Sequence, residues 1–207
     1  MLNVLLENYP ELSCCKESIE IAIEKLCESF AHSGKLLLCG NGGSYADCEH
    51  ISGEFMKGFL LKRPLPQEHK ADLKSRFGED GVYLGDMLQS GLAAFALPSQ
   101  NSVITAFNND VAADLAYAQL AWASGNPGDV LMGISTSGNS KNVVYACMAA
   151  RAKGMVVIGM AGENHCKLDD ICDVVIHVPA RETYRIQEYH LPVYHAICAT
   201  VEKHFFA

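Results

Sequence analysis

The chain has no dense cluster of basic residues. It carries 16 Lys+Arg against 24 Asp+Glu, a formal charge of −8 at pH 7. Binding along a nucleic-acid backbone asks for the reverse, a stripe of Lys and Arg. No apolar run approaches the ~20 residues that span a bilayer; the longest nearly uncharged stretch, Met155 to Gly162, is far too short. The opening Met1-Leu2-Asn3-Val4-Leu5-Leu6 lacks a basic leader and soon meets Glu7 and Pro10, so it makes a poor signal peptide. C-x-x-C pairs are missing. Nine cysteines is an odd count, and Cys39, Cys147 and Cys198 lie in apolar surroundings, which fits reduced thiols better than a disulfide framework. No repeat of 20–50 residues is visible. These absences exclude nucleic acid and membrane as main partners and lead us to expect a cytoplasmic protein. The 207 residues, 49% of them hydrophobic, suit one domain with a well-filled core.

Leu12, Cys15, Ile19, Ala22, Ile23, Leu26 and Phe30 recur at helical spacing and predict one amphipathic helix over 11–33, ending near Gly34. Short apolar runs at Lys35 to Gly40, Ala93 to Leu97, Asp129 to Met132, Gly154 to Met160 and Asp173 to Val178 read as strands. Helical stretches alternate with them: Ala46 to Phe55, Ser99 to Phe107, Ala112 to Ser124, Asn142 to Ala150 and a long closing helix over 182–206. Asn108-Asn109-Asp110 reads as a break, Asn164 to Asp170 as a short helix or turn. Strands that are nearly all apolar, alternating with helices, predict a three-layer α-β-α sandwich around five parallel strands. Residues 57–90 stand apart: Lys, Arg, Pro and Gly are mixed, no clear strand emerges, and Asp72 to Phe77 is compatible with a helical turn. A connection this long is functional or flexible.

Two strand-to-helix turns carry the chemistry. Gly133-Ile134-Ser135-Thr136-Ser137-Gly138-Asn139-Ser140 places hydroxyls at a helix start, where unpaired N–H groups and the helix dipole favour an anion. We read it as a phosphate clamp, against the plainer alternative of a Ser-rich turn with Ser140 as helix N-cap. Gly40-Asn41-Gly42-Gly43-Ser44 is the second turn. In parallel sheets ligands sit at the carboxyl ends of strands, so the two turns face one crevice if their strands are close. Four residues apart on one helix face, His50 and Glu54 have the donor types and spacing of a shared Zn²⁺ site, although such a pair also arises without an ion. The closing helix adds Gln187, His190 and His195. Gln187 and His195 are displaced by about 12 Å along the axis and turned by about 80°, at the limit of reach for one ion; spacing does not choose between the histidines. A kink at Pro192 or a second subunit would relieve the distance, and we favour the second subunit. His177 and His190 read as structural, His32, His69 and His204 as solvated, and Trp122 as core. Arg181, Glu182 and Arg185 read as surface charges.

G-N-G-G-S with H-x-x-x-E downstream, an Asn-Asp pair, G-I-S-T-S-G-N-S and R-I-Q-E-x-H-x-x-x-x-H together resemble the SIS-domain phosphoheptose isomerases, over residues 35–56 and 91–206. The resemblance implies a zinc-assisted aldose–ketose isomerase, interconverting sedoheptulose 7-phosphate and a D-glycero-D-manno-heptose 7-phosphate through an enediol(ate). It implies His50, Glu54, Gln187 and His195 as zinc ligands, with Glu54 and His195 as the acid/base pair. Substrate contacts would fall on Asn41, Gly42, Gly43, Asn109, Asp110, Ser135, Thr136, Ser137 and Ser140, and on Glu54 and Gln187. It also implies a homotetramer with sites between subunits. Residues 57–90 depart from the family pattern as an inserted segment, either bordering the cleft or a subunit contact or decorating the surface as a loop. Two rivals remain: a non-catalytic SIS module that binds a phosphosugar or the replication initiator, and an isomerase of a shorter phosphosugar such as a pentose 5-phosphate.

Overall fold

A computed structural model describes all 207 residues. In chain order the elements are α1 (Leu2–Asn8), a 3₁₀ turn (Pro10–Cys15), α2 (Lys16–Ala31), β1 (Leu36–Gly40), α3 (Gly43–Met56), α4 (Gln67–Met87), β2 (Ala94–Ala96), α5 (Asn101–Asp110), α6 (Ala116–Ser124), β3 (Val130–Ile134), α7 (Lys141–Ala152), β4 (Val156–Ala161), β5 (Val174–His177) and α8 (Thr183–Phe206). The five strands form one sheet in the order β2-β1-β3-β4-β5, every pair parallel. This is the expected sandwich. β1 and β3 are buried throughout, because helices cover both faces and leave no place for alternating polar residues.

The layers divide cleanly. Alternate strand residues such as Leu36, Leu38, Val130 and Met132 pack with α2, α3 and α8. Their neighbours Leu37, Cys39 and Leu131 pack with α6 and α7 on the other face. The helices that follow β1 and β3 therefore lie on opposite faces of adjacent strands. That juncture is the topological switch point, where an open α/β sheet leaves a crevice at its strand ends. No helix is long and apolar enough to cross a membrane.

Several local expectations are corrected. The helix over 11–33 is two elements. Pro10 opens a 3₁₀ turn in which Ser13 Oγ donates to Pro10 O at 2.6 Å and Cys14 Sγ to Glu11 O at 3.3 Å; both bonds follow the three-residue spacing of that helix. α1 precedes it, burying Leu5. Asn108, Asn109 and Asp110 are the last residues of α5 and not a break between it and the next helix. Trp122 is exposed, with Lys153 Nζ 5.7 Å above its ring. The largest difference lies at 57–90. Residues 67–87 form a helical hairpin, broken at Gly78 with φ +59° and ψ −128°, a conformation that favours glycine. Its arms meet where Gly81 faces the Leu73 carbonyl and Gly85 faces Lys70. Lys70 Nζ pairs with Asp86 Oδ1 at 3.1 Å, and an antiparallel bridge between Pro64 and Gln89 closes the base.

Candidate active site

Gly40 at the end of β1 is in register with Ile134 at the end of β3, so the glycine turn and the hydroxyl turn open side by side. Asn41 and Asn142 tie them together: each side-chain amide donates to the other's carbonyl oxygen, at 2.9 and 2.8 Å. Neither α3 nor α7 has a side-chain cap at its start. Ser140 is the N-cap residue by position, but its hydroxyl accepts from Ser135 Oγ at 2.9 Å and caps no helical N–H, which corrects the plainer reading of that turn; of the first N–H groups, Val143 donates to Asn142 Oδ1 at 3.0 Å. Two uncapped N-termini at one crevice make a site for an anion. Ser135 is buried, Thr136 and Ser140 half-buried, Ser137 exposed. Gly42, with φ +56° and ψ −119°, lets α3 begin at Gly43.

The same helix leads to the ionisable group. His50 Nε2 lies 3.2 Å from Glu54 Oε1 and 3.5 Å from His195 Nε2. One chain thus brings residues of α3 and α8 together. Glu54 is mostly buried, 12% exposed, with its Oε1 toward His50. Its Oε2 is buried without a hydrogen-bond partner; Lys57 Nζ is the nearby cation, at 3.6 Å. Tyr194 and Asp47 orient His50. The Tyr194 hydroxyl donates to Asp47 Oδ1 at 3.3 Å, so its oxygen accepts from His50 Nδ1–H at 3.0 Å. Nε2 then carries a lone pair aimed at a carboxylate and a second imidazole. These groups repel one another until a cation joins them, and imidazole with carboxylate is a donor set that zinc accepts. Burial, together with the adjacent His50, holds His195 below the usual imidazole range, against the pull of Glu54. Burial also raises Asp47, with Tyr194 and His50 opposing.

Gln187 lies elsewhere. Its amide packs against Gly43, where it fills the space a Cβ would need. His50 is seven residues further along α3, about 10 Å, and Glu54 eleven residues, about 16 Å. Of the four residues implied as zinc ligands, three converge in one chain and Gln187 sits at the turns. Asn109 and Asp110 are exposed at the end of α5, where Asn109 Nδ2 donates to Asp110 Oδ1 at 2.8 Å. Their segment is linked to the start of α7 by the Asp114–Lys141 pair at 2.6 Å. His190 is fully buried.

Sequence reasoning missed the support beneath Glu54. Arg63, in the connection between α3 and α4, is buried against Glu202 of α8, Nε to Oε1 2.8 Å. Its other nitrogens donate to the carbonyls of Phe55 at 2.7 Å and Glu54 at 3.0 Å. Glu202 also accepts from the backbone N–H of Phe59, Leu60 and Leu61 at 2.8, 2.8 and 3.1 Å. No spacing signals this, since the partners are 139 residues apart. Asp47 was within reach, three residues before His50 on the same helix.

Comparison with known proteins agrees with the geometry. The SIS domain family model matches residues 12–72 and 80–162, breaking near the tip of the α4 hairpin. A phosphoheptose isomerase of Aneurinibacillus thermoaerophilus is 37% identical over 188 residues, 91% of this chain and 82% of that protein. The solved phosphoheptose isomerase of Neisseria gonorrhoeae superposes with a TM-score of 0.70 at 32% identity, covering 96% of this chain and 98% of that one. That of Francisella tularensis gives 0.74 at 26% identity, covering 90% and 86%. With the sheet order, the paired turns and these identities in agreement, the chain belongs to the SIS-domain phosphoheptose isomerases.

Proposed function

We propose that this chain interconverts sedoheptulose 7-phosphate and D-glycero-D-manno-heptose 7-phosphate, as a single SIS domain over 1–207 in a cytoplasmic homotetramer with sites between subunits. One observation carries the reading. α3 starts in the glycine turn beside the hydroxyl turn, and three turns later presents a nearly buried carboxylate to two histidines. An extended phosphosugar fits that span better than a short one. Its phosphate would rest on Ser135, Thr136, Ser137, Ser140 and the two helix ends. Its chain would pass Asn41, Gly42, Gly43 and Gln187, with Asn109 and Asp110 at sugar hydroxyls, and its carbonyl end would reach Glu54.

Glu54 takes the proton from C1 of the ketose and returns it to C2. His195, neutral at the start, moves the matching proton between O2 and O1, so the enediol forms and collapses without net loss. Acid–base groups of this kind typically contribute ~10²–10⁴-fold each. Grip on the distant phosphate holds the reacting end in place. His50, Glu54 and His195, with Gln187 of a second subunit, would hold zinc, which supplies Lewis-acid polarisation of the carbonyl. An apolar groove of ≈ 270 Å³ beside His195, lined by Met1, Val4, Phe59 and Leu60 among others, supports a subunit contact there.

The test is a panel of C5 to C7 ketose phosphates on purified, metal-defined protein. The heptulose phosphate should be turned over at least ~10-fold better in kcat/KM than a pentulose phosphate. Glu54→Gln should bind substrate without turnover. Wild-type activity in that variant would refute the base assignment, equal use of C5 substrates would refute the heptose reading, and binding without turnover of any sugar would return the non-catalytic module.

A further inference from the structure

His177 closes β5 with acceptors at both ring nitrogens. Nδ1 lies 2.6 Å from the Gly162 carbonyl and Nε2 2.7 Å from Asp169 Oδ1. A neutral imidazole has one N–H. One ring proton cannot serve both contacts, so the pair is completed by a further proton or by a cation that takes its place at Nε2 and the carboxylate. A thiol stands beside it: ligand atoms of Cys166, Asp169 and His177 all lie within 4.8 Å of one another. On the solvent side, His165 Nδ1 is 2.9 Å from Asp169 Oδ2.

We propose that Cys166, Asp169 and His177 form a three-donor binding site for a thiophilic divalent cation of the Zn²⁺ class, with water completing its coordination. Sulfur, imidazole and carboxylate are the donors that zinc takes in tetrahedral sites, whereas Mg²⁺ and Ca²⁺ prefer oxygen alone. Donation of His177 Nδ1–H to a backbone carbonyl is the outer bond that metal-binding histidines usually make, and it leaves Nε2 free to ligate. Cys166 is buried while Asp169 and His177 are half-buried, so the cation has an entry path. Binding displaces the thiol proton of Cys166, and any proton shared by His177 and Asp169, to solvent. No electron changes hands.

The site shares no residue with His50, Glu54, Gln187 and His195, and it stands whether or not the proposed isomerisation is right. It does reach the hydroxyl turn from behind. The Cys166 sulfur occupies the space a Cβ on Gly138 would need, and Lys167 N–H donates to Asn139 Oδ1 at 3.1 Å. A cation held here fastens the connection between β4 and β5 to the turn assigned to the phosphate.

Co²⁺ titration of the full-length apoprotein tests this. The first site contains no sulfur, so a thiolate-to-cobalt charge-transfer band reports the second alone. The band should saturate at one cobalt per chain, persist in Glu54→Gln and in Cys14→Ser, and vanish in Cys166→Ser. His177→Gln should weaken cobalt binding by about 100-fold or more, the upper end of what loss of a mere supporting partner costs. X-ray absorption of zinc-loaded wild type needs no variant and should show one sulfur at about 2.3 Å. Absence of the band at excess cobalt, its persistence in Cys166→Ser, or zinc without a sulfur neighbour would each overturn the site and leave His177 as a hydrogen-bond partner of Asp169.

Discussion

Glu202→Ala is the sharpest probe of how residues 57–63 support the site. In the folded protein one fully buried carboxylate accepts from three backbone N–H groups and from Arg63. Truncation leaves the guanidinium buried without its counter-charge. Removing one partner of such a pair costs about 3–5 kcal/mol. Orphaned backbone donors would add about 1–3 kcal/mol each if they stayed dry, but the vacated volume admits water to them, so we expect about 4 kcal/mol in total. For a chain of this length that is a fall of about 8–16 °C in Tm. Urea unfolding at fixed protein concentration reads the difference. The pH dependence gives a second check. Burial would raise the Glu202 carboxyl, but the N–H groups of Phe59 and Leu60 and the Arg63 guanidinium outweigh it and hold the pKa below the usual carboxylate range. A depressed pKa stabilises above the unfolded value and ceases to do so as pH falls through the folded one. The gap between wild type and Glu202→Ala should therefore narrow below about pH 4. A loss under about 1 kcal/mol at pH 7, or a gap that widens in acid, would refute the assignment of this pair as the anchor of residues 57–63.

Two further changes test other parts of the frame. Burial holds His190 near about 4, and its Nδ1 has no partner. Below about pH 6.5 the unfolded chain binds a proton the folded one refuses, so stability falls by up to about 1.4 kcal/mol per pH unit down to pH 4. His190→Leu should keep its stability at pH 7 and lose that slope; thermal midpoints at pH 7 and 5 that move in parallel with wild type would contradict this. Gly138→Ala places a Cβ at φ +62° against the Cys166 sulfur. We expect about 2 kcal/mol or more of destabilisation and a rise in KM larger than the fall in kcat; unchanged kinetics would separate the hydroxyl turn from substrate.

The parts of this fold written locally were legible, and those that depend on distant contacts were not. Leu36 to Gly40 and Val130 to Ile134 read as strands because burial on both faces demands unbroken apolar runs. His50 and Glu54 shared a helix face by spacing alone. The hairpin at 67–87 left no such trace. It rests on Gly78 at positive φ and on Gly81 and Gly85 admitting the opposite arm, contacts with no period in sequence. Arg63 read as one more charge among many because its partner stands 139 residues away. Trp122 on a helical face reads as core, yet a large ring over which a lysine lies tolerates water. Ser140 had the residue type and position of a helix cap, and only the fold shows its hydroxyl turned toward Ser135.

Two histidines in this chain meet the same condition, and one more variant shows why it matters. His50 gives Nδ1–H to the Tyr194 oxygen and turns Nε2 toward Glu54; His177 has the Gly162 carbonyl at Nδ1 and Asp169 at Nε2. In both, an acceptor fixes the tautomer and the remaining lone pair faces a carboxylate. The first place adds a second imidazole and the second adds a thiol, so the two differ in their donor sets rather than in their logic. Tyr194→Phe removes the acceptor at the first place and leaves the second untouched. The ring of His50 then loses the bond that selects its tautomer, and Asp47 loses the hydroxyl that donates to it. Loss of such a supporting partner costs about 10–100-fold in metal affinity. Competition with a chelator should show one class of zinc weakened by that factor while the sulfur-containing class is unchanged. Equal weakening of both would mean that Tyr194 acts through general packing, and no weakening would mean that His50 does not ligate through Nε2.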